Sequence, residues 1–181
     1  MDKDGENINS IISGCKRSDR RSQELLYRNF YGTMMSFCLR YTQNEQDALE
    51  VLNTGFYKVF KNIDQYDERK AALYTWIRTI IINTCIDFIR KKNGRIVQHE
   101  LDQAAGVDLP PDVFSKMSST DILKLIRRLP PATQTVFNLY VMEGYAHKEI
   151  GQMLQISEGT SKWHLSEARK QLQTMIRQQN E

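Results

Sequence analysis

A chain of 181 residues, 40% of them hydrophobic and 26% charged, has room for one ordinary domain or two small ones and too much apolar material for wholesale disorder. Only nine Gly and four Pro punctuate it, which favours long helices over a turn-rich β fold. The net charge of +3 excludes little; its distribution says more.

Basic residues gather between Arg69 and Arg95, where Lys70, Arg78, Arg90, Lys91 and Lys92 face only Asp87. A second cluster, Lys16, Arg17, Arg20, Arg21 and Arg28, reads more simply as a solvated helix face. Cys15, Cys38 and Cys85 are odd in number and lack the close pairing of a zinc site or disulfide framework. They read as small buried hydrophobes in a reducing compartment. The polar start MDKDGENINS does not look like a secretion signal, and Ile80–Ile82 is too short to span a bilayer, so a cytoplasmic protein without membrane insertion is expected.

In chain order, Ile8, Ile11, Ile12 and Cys15 predict a short amphipathic helix punctuated by Gly14 and Ser18. Leu26, Phe30, Met34, Phe37, Cys38 and Tyr41 predict a second. Asn44 is a suitable N-cap for a third, with Ala48, Leu52, Phe56, Val59, Phe60 and Ile63 on one face. Gly55 costs that helix about 1 kcal/mol relative to Ala, and packing is expected to compensate. After a polar break from Asp64 to Lys70, a fourth helix over about 72–92 is apolar around most of its circumference and should lie deep in a bundle. Trp76, between such neighbours, reads as core.

Periodicity fades over 93–118, a stretch long enough to suggest an interdomain tether. Helical signals resume at Ser119 with Ile122, Leu125, Ile126 and Leu129. Pro130 and Pro131 break the run, and Pro131 suits the first turn of the next helix, which Gly144 ends. A short helix over about 146–154, a tight turn at Gln155–Ser157 and a longer helix over about 158–178 form a helix-turn-helix pattern. Ser157 can cap the longer helix. Leu165 and Ala168 should face Ile150 and Leu154, leaving Thr160, Ser161, Lys162, Trp163, Ser166 and Arg169 around the exposed side. Trp163 could stack on DNA or pack inward, and packing is favoured. The fold expected is all-α: two small helical domains, 1–92 and 119–181, joined by a flexible linker, 93–118.

The residues from Leu129-Pro130-Pro131 through Glu143-Gly144-Tyr145, Glu149-Ile150-Gly151 and Ile156-Ser157-Glu158-Gly159-Thr160 to Lys162, Leu165 and Ala168-Arg169 resemble region 4 of the extracytoplasmic-function (ECF) sigma factors. Those are the smallest members of the sigma-70 family. Leu26-Tyr27, Tyr31, Asp47-Ala48, Phe56, Val59-Phe60, Trp76-Ile77, Ile80, Asn83, Asp87 and Arg90 resemble region 2 of the same family. Three places depart from its pattern. The acidic stretch reads Asp47-Ala48-Leu49-Glu50-Val51-Leu52-Asn53-Thr54-Gly55-Phe56, without the usual Gln-Glu pair; Leu73 replaces an aromatic; Ile82 replaces a basic residue.

The resemblance implies a subunit that binds core RNA polymerase, through its clamp and flap, and promoter DNA. It implies that Asp47, Glu50, Asn53 and Phe56 dock the polymerase. Region 4 would read the −35 element as duplex, with Lys162, Trp163 and Ser166 near base edges and Thr160, Ser161, His164 and Arg169 near the backbone. Region 2 would hold the melted −10 strand with Tyr66, Tyr74, Asn83, Arg90, Lys91 and Lys92. Family members are often held by an anti-sigma factor, and nothing in the residues says whether one exists here. No cofactor, metal or small-molecule substrate is implied. His99, His147 and His164 are scattered, without an acidic pair or phosphate loop, so the chain does not read as an enzyme. The alternative is a stand-alone helix-turn-helix regulator of duplex operators.

Overall fold

The computed structural model describes residues 3–93 and 118–179. Among these the structure is helical, without strands: α1 (Lys3–Lys16), α2 (Arg20–Tyr41), α3 (Glu45–Lys61), a 3-10 turn (Ile63–Gln65), α4 (Leu73–Asn93), α5 (Ser119–Arg127), α6 (Pro131–Phe137), a π-helical turn (Asn138–Met142), α7 (His147–Leu154) and α8 (Glu158–Gln179). The chain divides into two compact units, Met1–Leu39 with Asn44–Cys85 and Arg40–Gln43 with Ile86–Glu181. The expected tether falls almost wholly on 94–117, outside the described residues.

In the first unit the helix ends follow from local chemistry. Asp19 accepts from the Ser22 backbone N–H at 2.8 Å, which satisfies a free donor at the start of α2. Asn44 does the same for α3, accepting from the Asp47 N–H at 2.8 Å. Gly14, expected to punctuate, lies inside α1; the break comes at Ser18, whose φ of 59° a helix cannot continue through. The core is built from Leu26, Met34, Leu52, Phe56, Ile63, Ile77 and Ile81, all nearly inaccessible to water. Each such side chain contributes on the order of 1.5–3 kcal/mol on burial.

Gly55 is where α3 meets α4: a Cβ there would collide with Cδ1 of Ile81. The glycine therefore trades helix propensity for close approach of the two helices. As expected, α4 is buried over most of its circumference, and Thr75, Thr79, Asn83 and Asp87, four residues apart, form its exposed stripe. Cys15, Cys38 and Cys85 are buried free thiols, and burial chiefly, then the Asp19 charge, pushes Cys15 up to about 11.

In the second unit α8 is the spine, packed by α5, α6 and α7. Ser118 caps α5, accepting from the Asp121 N–H at 3.2 Å, and Pro131 opens α6 in its first turn. The expected helix past Phe137 widens into the π turn, closed by Glu143 N–H donating to the Asn138 carbonyl five residues back at 3.0 Å. Gly144, with φ +79°, then reverses the chain in a conformation that suits glycine.

Candidate nucleic-acid interface

The α7–turn–α8 segment is built for a fixed angle between two helices. Gln155 takes the left-handed conformation (φ 57°, ψ 43°) that ends α7. Ile156 N–H donates to the Gly151 carbonyl at 3.0 Å, tying the turn back onto the helix. Ser157 Oγ accepts from the Thr160 N–H at 2.9 Å, so Ser157 is the N-cap of α8 as expected. Ile150, Leu154, Leu165 and Ala168 are buried together in the core of this unit.

Three side chains assigned to the DNA-facing side lie in the interior. Thr160 and Ser161 are fully buried, and His164 is 4% exposed. Thr160 exchanges a hydrogen bond with Ser157 Oγ at 2.9 Å. Ser161 Oγ lies 2.9 Å from His147 Nδ1, and Thr133 Oγ1 lies 3.0 Å from His164 Nδ1. The last two pairs tie the start of α8 to α7 and to α6. Their positions continue the helical period of Leu165, Ala168 and Leu172 towards the N-terminus, a signal the sequence carried and their polarity masked.

The accessible side of α8 is Lys162, exposed, with Trp163, Ser166 and Arg169 half-buried. Lys162 Nζ lies 2.7 Å from Glu158 Oε1, both side chains about half exposed. The hydrogen bond and charge of Lys162 hold the Glu158 carboxyl below its usual range. An exposed pair at this spacing contributes only about 0.3–0.5 kcal/mol, so it costs little to open it for a phosphate or base. Trp163 is half-buried and meets the ring of its helix neighbour His164 edge-on with centroids 4.9 Å apart, so it is not packed away into the interior. His147 is half-buried, and Tyr140 stacks on it at 4.4 Å.

The 3-10 turn and α4 place a second group of residues. Tyr66, at the end of the 3-10 turn, is half-buried with its ring 5.4 Å from that of Trp76. Trp76, expected in the core, is itself only half-buried, because its position lies beside the exposed stripe of α4. Asn83 is exposed and Arg90 half-buried on the same side of α4, while Lys91 is exposed beside them. Tyr74 does not join them. Nine residues at about 100° each set it on the opposite side of α4 from Asn83, and Lys92 likewise lies over there, its Nζ 5.5 Å from the Phe88 ring.

The residues assigned to polymerase docking also separate. Glu50 and Asn53 are exposed and Asp47 is half-buried, but Phe56 is 1% exposed and packs on Tyr27 at 4.7 Å. Phe56 is a core residue because it lies half a turn round α3 from Asp47. Tyr27 donates to Asn53 Oδ1 at 2.9 Å, joining α2 to α3. Beside this bond Tyr31, Leu49 and Tyr57 are exposed, Tyr57 at 66%. Large exposed side chains of this kind, grouped on one face, mark a contact surface. In the sequence Tyr31 and Leu49 stand out only through the family pattern, and Tyr57 not at all, since an exposed apolar residue read singly is ordinary.

Comparison with protein families decides the identity. The model described as Sigma-70 region 2 matches residues 26–95, and that described as Sigma-70, region 4 matches residues 119–172. The chain belongs to the sigma-70 family, in its ECF group. It is similar to the ECF RNA polymerase sigma factor SigW of Bacillus subtilis, 28% identical over 94% of this chain and 97% of that one. It is similar also to the RNA polymerase sigma-H factor of Pseudomonas aeruginosa, 22% identical over 96% and 97% of the two chains. Among solved structures, the Bartonella quintana sigma factor RpoE, crystallised with the anti-sigma factor NepR, shares the fold with TM-score 0.52 and 16% identity over 85% of this chain and 96% of that one. Sigma factors are non-catalytic subunits that act with RNA polymerase on promoter DNA, and this one stands among them by family. No described helix of this sigma factor is long and apolar enough to cross a membrane.

Proposed function

We propose that this sigma factor reads a promoter at two places, the −35 element as duplex through α8 and the −10 element as melted non-template strand through the first unit. Residues 1–92 and 119–181 would act as separate readers, and 93–118 as the tether. About 25 residues reach at most ~80 Å. That spans two sites two DNA turns apart, on the order of 70 Å.

The observation that carries this reading is the start of α8. The Ser157 cap and the buried pairs made by Thr160, Ser161 and His164 hold the helix rigidly, while Lys162 stays exposed with only a weak partner. A rigid helix with an accessible cation in its first turns suits major-groove reading. Lys162, Trp163, Ser166 and Arg169 would make the contacts; Thr160, Ser161 and His164 would position them. Tyr66 over Trp76 offers a stacking surface, and Asn83, Arg90 and Lys91 along α4 a polar and basic track for a single strand. Docking to the polymerase clamp would use Glu50 and Asn53 together with Tyr31, Leu49 and Tyr57.

Transcription from a randomised promoter library by core polymerase with the full chain tests this. Initiation at promoters sharing two elements is expected. Lys162→Ala should relax base preference in the upstream element by roughly five- to a hundredfold while leaving the downstream element unchanged. No initiation at any sequence, with tight duplex binding by the chain alone, would favour the stand-alone regulator instead.

A further inference from the structure

One side of the −10 reader has an assignment beyond Tyr66 and α4. A cavity of about 450 Å³ lies in the first unit, with the stretch 66–69 as one wall and α1 as the other. The volume falls in the range of sites that hold small organic groups. The α1 wall is formed by Asn9, Ile12, Ser13 and Lys16. These are spaced i, i+3, i+4, i+7, so they form one helical face. Ile12 is buried, while Asn9, Ser13 and Lys16 are exposed. The α1 helix packs on the 3-10 turn that leads into the opposite wall, so the two walls are held at a fixed separation.

The chemistry of the lining is that of a nucleotide site. Tyr66 brings an aromatic ring, already backed by Trp76. Asp67 accepts from the Arg69 backbone N–H at 3.0 Å and from its Nε at 3.2 Å, which stiffens the loop and commits that carboxylate. The other charges lining the cavity are Glu68 on the loop and Lys16 on α1, of opposite sign. A neutral hydrogen-bonding ring with an anionic tail suits a ring face, an amide and a hydroxyl, with the tail drawn to Lys16 on the α1 wall and away from Glu68 on the loop. A single strand threading past Tyr66 supplies such groups as base and phosphate.

We propose that α1 is the second wall of the pocket that receives an unpaired base, with Asn9 and Ser13 reading the base edge and Lys16 holding the adjoining phosphate. This rests on the reading of the first unit as the −10 reader and extends it to α1, whose Lys16 reads in the sequence as part of a solvated face. Asn9, Ser13 and Lys16 thereby become determinants of promoter choice.

Holoenzyme assembled from core polymerase and the full chain would be tested on promoters randomised across the melted strand. Asn9→Ala is expected to flatten base preference at one position on the order of tenfold and leave the other positions unchanged. Ala is a better helix former than Asn, so melting of α1 cannot cause the effect. Lys16→Gln is expected to lower initiation at all sequences and reduce the log–log salt slope by roughly 0.7, while Lys16→Arg keeps it. Either response supports the α1 wall. Unchanged preference in Asn9→Ala with an unchanged slope in Lys16→Gln overturns it, as does an equal loss at every position with no salt response. Both outcomes leave the wild type initiating. A wild-type chain that supports no initiation sinks the −10 reading itself, and the α1 pocket with it.

Discussion

Single residues in this sigma factor show how a side chain's neighbours outrank its type. Gly55 reads in sequence as a weak point of a helix, and the structure gives it a reason in the Ile81 methyl that occupies the place of a Cβ. Gly55→Ala is therefore expected to destabilise by about 1 kcal/mol, overpacking outweighing the gain in helix propensity. Ile81→Val alone should cost about 0.5–1.5 kcal/mol. The double variant should be more stable than the sum of the two losses, because each relieves the other, and urea unfolding of the four proteins measures that coupling. His147 makes a second residue-scale case. Burial, first, and the Lys162 charge, next, lower its pKa below the ordinary imidazole value. The unfolded chain thus binds the proton more readily than the folded one. Stability should be fully present above about pH 7, decline as pH falls through the ordinary value near 6.5, and level off once pH passes below the folded-state value. His147→Gln should show a flatter profile than the wild type over that window, and identical profiles would remove His147 from the account.

At the scale of elements, the helix-turn-helix was legible in the chain because its punctuation is chemical. A serine with a free amide three residues on, a glycine at the chain reversal and a proline at a helix start all act locally. Ser157→Ala should cost about 1 kcal/mol of the second unit's stability, and Ser157→Asp should retain most of it. The two tryptophans allow the test, since Trp76 lies in one unit and Trp163 in the other. In a Trp76→Phe background, the unfolding midpoint followed by Trp163 fluorescence should fall for Ser157→Ala with its slope unchanged. What the local signals missed was the rotation of α8. The apolar stripe was found, but its polar continuation, Thr160, Ser161 and His164, was assigned outward. Their spacing continued that stripe, but their polarity hid it: Thr160 is satisfied by Ser157 within the turn, and Ser161 and His164 by His147 and Thr133 on other helices, partners that no local pattern announces. Phe56 on the docking face and Tyr74 beside Asn83 are misplacements of another kind, since nine residues at about 100° each already set each of them half a turn away, Phe56 from Asp47 and Tyr74 from Asn83.

At the scale of the whole molecule, charge distribution matters more than the net value of +3. The basic end of α4, Arg90, Lys91 and Lys92, is expected to contact the backbone of the melted strand. Replacing the three by Gln should reduce the salt dependence of open-complex formation by a log–log slope of about 2 if all three meet phosphates. Because Lys92 lies on the far side of α4 from Asn83 and packs near Phe88, the smaller change of about 1.4, set by Arg90 and Lys91, is the value the structure favours. Filter binding or initiation assays across a salt series separate the two, and no change would remove this patch from the interface. The sequence by itself determined the all-helical class, the Asn44 and Ser157 caps and the family, because propensity, periodicity and capping depend on residues only a few positions apart. Which partners satisfy Ser161 and His164 inside, and that α1 closes a cavity against residues 66–69, was decided by tertiary structure, since these depend on packing and hydrogen bonds between segments far apart in the chain.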